Sequence, residues 1–241
     1  MSDEATAQPA DAPDIAPVPD GIVTRHADGG AVAEETPFTG GVIDGEARIY
    51  AEDGSLRRIA PFKSGQLDGE SVEYERNGDV AARFTFADGQ LNGPAIVYTN
   101  GRPSQRMHYL AGVLSGEMHS YDLTGAVVGI AHYAAGRLDG EAKTLWPNGA
   151  PIRVAHYRDG KLDGEIVDYW DDGTVRQRAL YKDNVPDGAT TTYLMTGEPD
   201  QETIFANGSV VETRSLAGAE PGDATVPTRS GGWIDRLIGG A

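Results

Sequence analysis

The sequence predicts an all-β chain: an elongated antiparallel array of about eight 24-residue β-hairpin repeats. A flexible acidic tail precedes the array, and a linker ending in a short helix follows it. Three observations carry that expectation. The phrase Gly160-Lys161-Leu162-Asp163-Gly164-Glu165 returns, with small changes, along most of the chain. Its first glycine, or the residue in its place, falls at Gly41, Gly65, Gly89, Gly112, Gly136, Gly160, Asn184 and Gly208, in steps of 24, 24, 23, 24, 24, 24 and 24. A fixed period of this size marks a stack of one supersecondary unit. Between the phrases, residues alternate at the strand period, with Val80, Ala82, Phe84 and Phe86 on one face and Ala81, Arg83 and Thr85 on the other. Turn dipeptides punctuate the runs at Asp53-Gly54, Asn77-Gly78, Asn100-Gly101, Asn148-Gly149 and Asp172-Gly173. They supply the positive φ that tight hairpin turns require. Within a unit no run of ten residues combines an apolar stripe at helical spacing with freedom from glycine and proline.

Taken in order, residues 1–19 form an acidic Ala/Pro tail too poor in apolar groups to offset chain entropy. The repeat domain spans 20–215, and a weak first unit starts at Asp20-Gly21, 24 residues before Asp44-Gly45. Two aromatic files recur. One is Tyr50, Tyr74, Tyr98, Tyr121, Tyr169 and Tyr193; the other is Phe38, Phe62, Phe86, Tyr109, Tyr133, Tyr157, Tyr181 and Phe205. Stacked hairpins are expected to bury these files against one another, because a lone hairpin does not hold in water. Residues 216–241 read as a linker followed by an apolar peptide, in which Trp233, Ile234, Leu237 and Ile238 would share one side of a short helix. Such a helix needs a surface to lie on.

The 241 residues carry a net charge of −17 and no cysteine. The acidity belongs to the array, with 29 acids against 18 bases over 21–215, as well as to the tail. Such a surface repels phosphate backbones and anionic head groups, so nucleic acid is not an expected partner. The start of the chain lacks the basic and apolar regions of a signal peptide, and a cytoplasmic location is expected. No stretch approaches the ~20 apolar residues of a membrane span.

Phe62-x-x-Gly65-x-Leu67-Asp68-Gly69-Glu70, followed by Tyr74 and Asn77-Gly78, resembles the MORN repeat. It is most similar to the bacterial variant form, whose members are often labelled antitoxins of toxin–antitoxin systems. The resemblance runs over roughly residues 21–215. It implies a hairpin array that works by protein contacts, or in some members lipid contacts, and it implies no shared chemistry. The chain departs from the pattern where Pro94 and Ala189 replace the glutamate and where Asn184-Val185-Pro186 breaks the phrase.

No catalytic, cofactor-binding or metal-binding set is expected. Hydrolase, zincin, phosphate-loop and dinucleotide motifs are absent from the sequence. His108, His132 and His156 recur at period 24, but equivalent strands of neighbouring units stand about 10 Å apart, too far for one metal ion. These histidines are expected on the polar face. The carboxylates Glu46, Glu70, Glu117, Glu141 and Glu165 form a column, with aspartates two residues earlier at four of them. Catalysis needs one special place, so a copied pair points to a surface stripe, and the aspartates to turn formation. Trp146 and Trp170, 24 residues apart, face outward if Leu145 and Tyr169 face inward. With His132 and His156 they form a candidate partner-binding patch; equally, they cover the second face of a twisted sheet.

The expected function is a non-catalytic protein-binding scaffold or adaptor that uses an acidic β-repeat surface, antitoxin-like if the resemblance extends that far. Trp233, Ile234, Leu237 and Ile238 would supply a second contact. The alternatives are an accessory subunit or enzyme with a site at an irregular unit such as Leu145-Trp146-Pro147, and weak peripheral membrane association through the C-terminal peptide. The sequence leaves the partner and the oligomeric state open.

Overall fold

The computed structural model describes Val18 and residues 20–217. The expected acidic tail, apart from Val18, and the expected C-terminal peptide with Trp233, Ile234, Leu237 and Ile238 lie outside the described residues. Every regular element among the described residues is a strand. The chain divides into two units, Met1–Gly149 and Ala150–Ala241.

The first unit holds β1 (Gly21–His26), β2 (Val32–Thr39), β3 (Val42–Ile43), β4 (Gly45–Tyr50), β5 (Leu56–Lys63), β6 (Gln66–Leu67) and β7 (Gly69–Tyr74). It continues with β8 (Val80–Ala87), β9 (Gln90–Thr99), β10 (Arg102–Leu110), β11 (Val113–Leu114), β12 (Gly116–Tyr121), β13 (Val127–Ala134) and β14 (Arg137–Leu145). The second unit holds β15 (Pro151–Arg158), β16 (Lys161–Tyr169), β17 (Val175–Lys182), β18 (Val185–Tyr193), β19 (Pro199–Ala206) and β20 (Ser209–Ser215). Each unit is an antiparallel meander in which a strand pairs with its neighbours in sequence.

Two kinds of turn alternate. The first kind closes on itself: Ala51 N donates to Ser55 O at 2.8 Å, Gly54 N to Ala51 O at 2.9 Å, and Asp53 Oδ1 accepts both the amide and the hydroxyl of Ser55. The second kind is tied to its predecessor. Gly65 N donates to Ile43 O, Gly89 N to Leu67 O and Gly136 N to Leu114 O in the first unit; Asn184 N donates to Leu162 O and Gly208 N to Pro186 O in the second. The phrase aspartate works across the same distance. Ser64 N donates to Asp44 Oδ2 at 3.0 Å, and Gly40 N to Asp20 Oδ1 at 2.6 Å. The aspartates do form turns, as the sequence suggests, but the turns of the next repeat.

The expectation about positive φ also changes place. At Asp53-Gly54 and Asn77-Gly78 only the glycine is left-handed. Two successive left-handed residues, the primed-turn signature, occur instead in the second turns, at Ser64-Gly65, Asp88-Gly89, Ala111-Gly112 and Ala135-Gly136. Asn100-Gly101 is the exception among the first turns, being left-handed at both residues. Around it Tyr98 pairs with Pro103, five residues on, where Tyr74 pairs with Val80, six residues on, and this missing residue accounts for the single 23-residue step.

The core departs from the expected stack of aromatics. The buried row is small: Ala47 opposite Ala60, then Ser71 and Ala95 on either side of Phe84 in the first unit, and Ala155, Ile166 and Ala179 in the second. Every member of both aromatic files is half-buried. Strand alternation puts the files on opposite faces. Phe62 lies with Ala60, whereas Tyr50 lies with Glu46 and Arg48 and donates its hydroxyl to Glu35 at 2.7 Å. A meander whose faces are covered only by lateral neighbours needs an apolar file on each face. Close packing at the centre then favours alanine and serine.

Candidate partner-binding surface

Each glutamate of the periodic column has a basic side chain beside it. Glu46 pairs with Arg48 at 2.9 Å, Glu70 with Arg83, Glu141 with Lys143 at 2.7 Å and Glu165 with Arg178 at 3.0 Å. At Glu117 the partners are His119 Nε2 at 3.0 Å and His132 Nε2 at 3.2 Å. The column is therefore partnered along its length, by Arg or Lys at four of its five glutamates and by histidine at Glu117, and is not a bare acidic stripe. Sequence reasoning missed His119 because it stands outside the 24-residue columns. Its signal is its place two residues after Glu117, on the same face of one strand. Among the described residues no group of three His, Asp or Glu side chains is arranged to hold a metal ion.

His132 and His156 have structural partners. The Glu141 carbonyl oxygen lies 2.9 Å from His132 Nδ1, and the Glu165 carbonyl 3.0 Å from His156 Nδ1. A carbonyl only accepts, so Nδ1–H is the donor in each. Both rings also lie against a phrase glycine. A Cβ on Gly140 would stand 3.3 Å from His132 Cβ, and one on Gly164 would stand 3.1 Å from His156 Cβ.

The second unit holds a denser cluster. Asp168 on β16 is buried opposite Arg153 of β15, which grips it through two bonds of 2.6 and 2.9 Å. Arg176 Nη2, at the bulge that opens β17, lies 3.4 Å from the same carboxylate. Burial alone would raise the Asp168 pKa. The Arg153 hydrogen bonds and the two guanidinium charges outweigh it, and the carboxyl is held below its ordinary value. Arg176 also stands 5.7 Å above the Trp170 ring, a cation–π contact. Trp170 Nε1 is buried and has no hydrogen-bond partner. Alternation puts His156 on the face opposite Asp168, so the Trp170 cluster and His156 are not brought together. Trp146 belongs to the first unit, where it opens a turn by accepting from Gly149 N at 2.8 Å and is 42% exposed.

Trp146 and Trp170 share one position in the first kind of turn. Its other occupants are Ala27, Ala51, Glu75, Asp122 and Leu194, each accepting from the glycine three residues on. The turn after Trp170 carries Leu194 and Met195, exposed by 40% and 58%. The second unit thus presents an arginine-stacked tryptophan and exposed aliphatic groups on turns that close on themselves. Sequence periodicity marked Trp170. It did not mark Arg153, Asp168 or Arg176, whose meeting depends on cross-strand register and a bulge.

Two segments, residues 43–64 and 162–183, match the MORN repeat variant family. No curated protein is significantly similar to the chain. A solved chain titled "Crystal Structure of TcdB2-TccC3-TEV" aligns at 14% identity over 76% of this chain and 13% of that one, with a TM-score of 0.22. The chain thus spans about an eighth of that protein's length.

Proposed function

We propose that this chain is a non-catalytic protein-binding scaffold whose contact surface in the second unit is centred on Trp170, Arg176, Leu194 and Met195. The observation that carries the reading is Trp170. Its ring is stacked by Arg176, and exposed aliphatic groups occupy the next turn of the same kind. Tryptophan and arginine are enriched among interface hot spots. The MORN repeat variant match supports an interaction module. The glutamate column, ion-paired to Arg or Lys at Glu46, Glu70, Glu141 and Glu165, argues against broad acidic attraction as the source of affinity, since an exposed ion pair contributes little and attracts little. Trp146 and His132 in the first unit, and Trp233 to Ile238, are further contacts under the same reading. Its narrower form makes the partner a toxin held inactive by the array.

The test is affinity capture from native lysate with the full-length chain and its Trp170→Ala variant, scored against one identified partner. The variant is expected to keep a cooperative thermal transition and to lose about tenfold or more in capture, as hot-spot truncations do. Equal capture by a folded variant would remove Trp170 from the contact.

A further inference from the structure

We propose that Asn100 is a modification site: it converts to aspartate or isoaspartate, through a succinimide formed with the Gly101 amide, ahead of every other Asn-Gly dipeptide in the folded chain. Asn-Gly occurs at Asn77-Gly78, Asn92-Gly93, Asn100-Gly101, Asn148-Gly149 and Asn207-Gly208. Asparagine is among the thermolabile residues, and a following glycine puts no side chain in the way of its own nitrogen. The dipeptide alone makes the five equal. Their backbone hydrogen bonds separate them.

The nucleophile is the glycine nitrogen, which must first give up its proton. An amide held in a hydrogen bond does so only when the structure opens locally. Gly78 N donates to Glu75 O at 3.0 Å, Gly149 N to Trp146 O at 2.8 Å and Gly208 N to Pro186 O at 2.9 Å. Gly93 is held within β9, paired with Tyr109 and with the Thr85 side chain against it. Gly101 N has no hydrogen-bond partner among the described residues, and both Asn100 and Gly101 are exposed. The short unit is the cause. Thr99 pairs with Arg102, so Asn100 and Gly101 form a two-residue loop, left-handed at both positions with φ +52° and +72°. The flanking strands close such a loop, and the second loop amide is left to solvent. Asn207-Gly208 is the matched case. Its φ values are +47° and +79°, yet its glycine amide is tied to the preceding repeat. The two sites differ in that bond.

The reaction needs only water as co-reactant. Gly101 N bonds to Asn100 Cγ as the Cγ–Nδ2 bond breaks, and ammonia leaves with the proton that the amide gave up. Water then opens the five-membered ring. Cleavage of the new N–Cγ bond gives aspartate. Cleavage of the original peptide bond gives isoaspartate, in which the backbone runs through Cγ and is one atom longer. Either product adds a carboxylate to an exposed turn, and the second lengthens the one first turn that is a residue short.

The test ages the full-length chain in mildly alkaline buffer, folded and in urea, and follows each Asn-Gly peptide by mass spectrometry for the gain of about one mass unit that replaces the amide by a carboxyl. The ratio of unfolded to folded rate at each site measures the protection that folding gives, independent of flanking sequence. Protection at Asn100 is expected to be about fivefold or more below that at Asn77, Asn148 and Asn207, the worth of one retained hydrogen bond in a rate. Protection at Asn100 equal to that at Asn207, or no conversion of Asn100 in the folded chain while the urea sample converts, would overturn the assignment. Hydrogen exchange gives a readout that does not depend on the reaction. The Gly101 amide is expected to exchange about tenfold or more faster than that of Gly208; equal exchange would overturn it as well.

Discussion

The two rows of turns are made by similar dipeptides, yet they do opposite work. Turns of the second kind are bonded to one another: the amide of Gly65, Gly89 or Asn184 reaches a carbonyl 22 residues back, and the amide of Ser64 reaches Asp44. Their backbone is part of the stacking. Turns of the first kind satisfy their backbone internally, as Ala51 and Ser55 or Trp170 and Thr174 do. The position that opens them is free to be Ala51, Glu75, Asp122 or Trp170. In a repeat array stability is a sum of unit and neighbour terms. The row that carries the backbone bonds between turns repeats its phrase, and the row whose turns close on themselves can carry recognition.

The sharpest way to break this contrast is one methyl group in each row. Gly69 holds φ +116°, and a Cβ would stand 3.1 Å from the ring of Pro61, which cannot rotate away. Gly69→Ala is expected to cost about 2–5 kcal/mol, from backbone strain and overpacking together. Gly78, in a first-row turn, holds φ +87° with nothing within 4 Å. Gly78→Ala carries only the left-handed penalty, about 1–2 kcal/mol. Urea titration of both variants measures the difference; equal losses would show that the seat under the proline contributes nothing.

Much of this was legible in the sequence. The 24-residue step, the alternation and the turn glycines gave strands in their places, because each depends on neighbours a few residues away. The glycine seat was not legible, since it joins Gly69 to a residue eight positions earlier on another strand. The half-burial of Tyr50 and Phe62 was hidden for a different reason. An alternating pattern places residues on faces but does not say what covers a face. The Arg153–Asp168 pair could be read only from a hairpin register that the bulges displace.

That pair offers the next test, because it ties a first-row turn to the sheet. Asp168 is buried, with two bonds from Arg153, while Arg176 spans from it to Trp170. Asp168→Asn removes the charge and leaves the guanidinium groups poorly matched. The expected loss is about 1.5–3 kcal/mol, the worth of hydrogen bonds to a charged group, with the lower end favoured by the half-exposed arginines. The pH dependence has a definite sign. The folded carboxyl titrates below its unfolded counterpart, so its stabilisation is full above the unfolded pKa and disappears as pH falls through the lower, folded value. Urea midpoints of wild type and Asp168→Asn should converge on acidification below about pH 4, the ordinary aspartate range. A gap that persists undiminished at the most acidic folded pH would mean that the charge is not the stabilising element.

The smallest expected effect on stability separates recognition from folding. Met195 is 58% exposed on the turn after Trp170, and that turn is held by Leu194 N to Glu198 O and Gly197 N to Leu194 O, bonds that need no side chain from Met195. Met195→Ser should therefore change stability by no more than about 0.5 kcal/mol, as exposed substitutions generally do. Leu123, 69% exposed on a first-row turn of the first unit, is the matched control, since its backbone carbonyl rather than its side chain takes the Arg102 bond. If the second unit carries recognition, Met195→Ser lowers partner capture severalfold and Leu123→Ser does not, with both melting transitions unmoved. If both variants capture equally well, the exposed aliphatic groups are bystanders, and Trp170 with Arg176 must carry the contact without them.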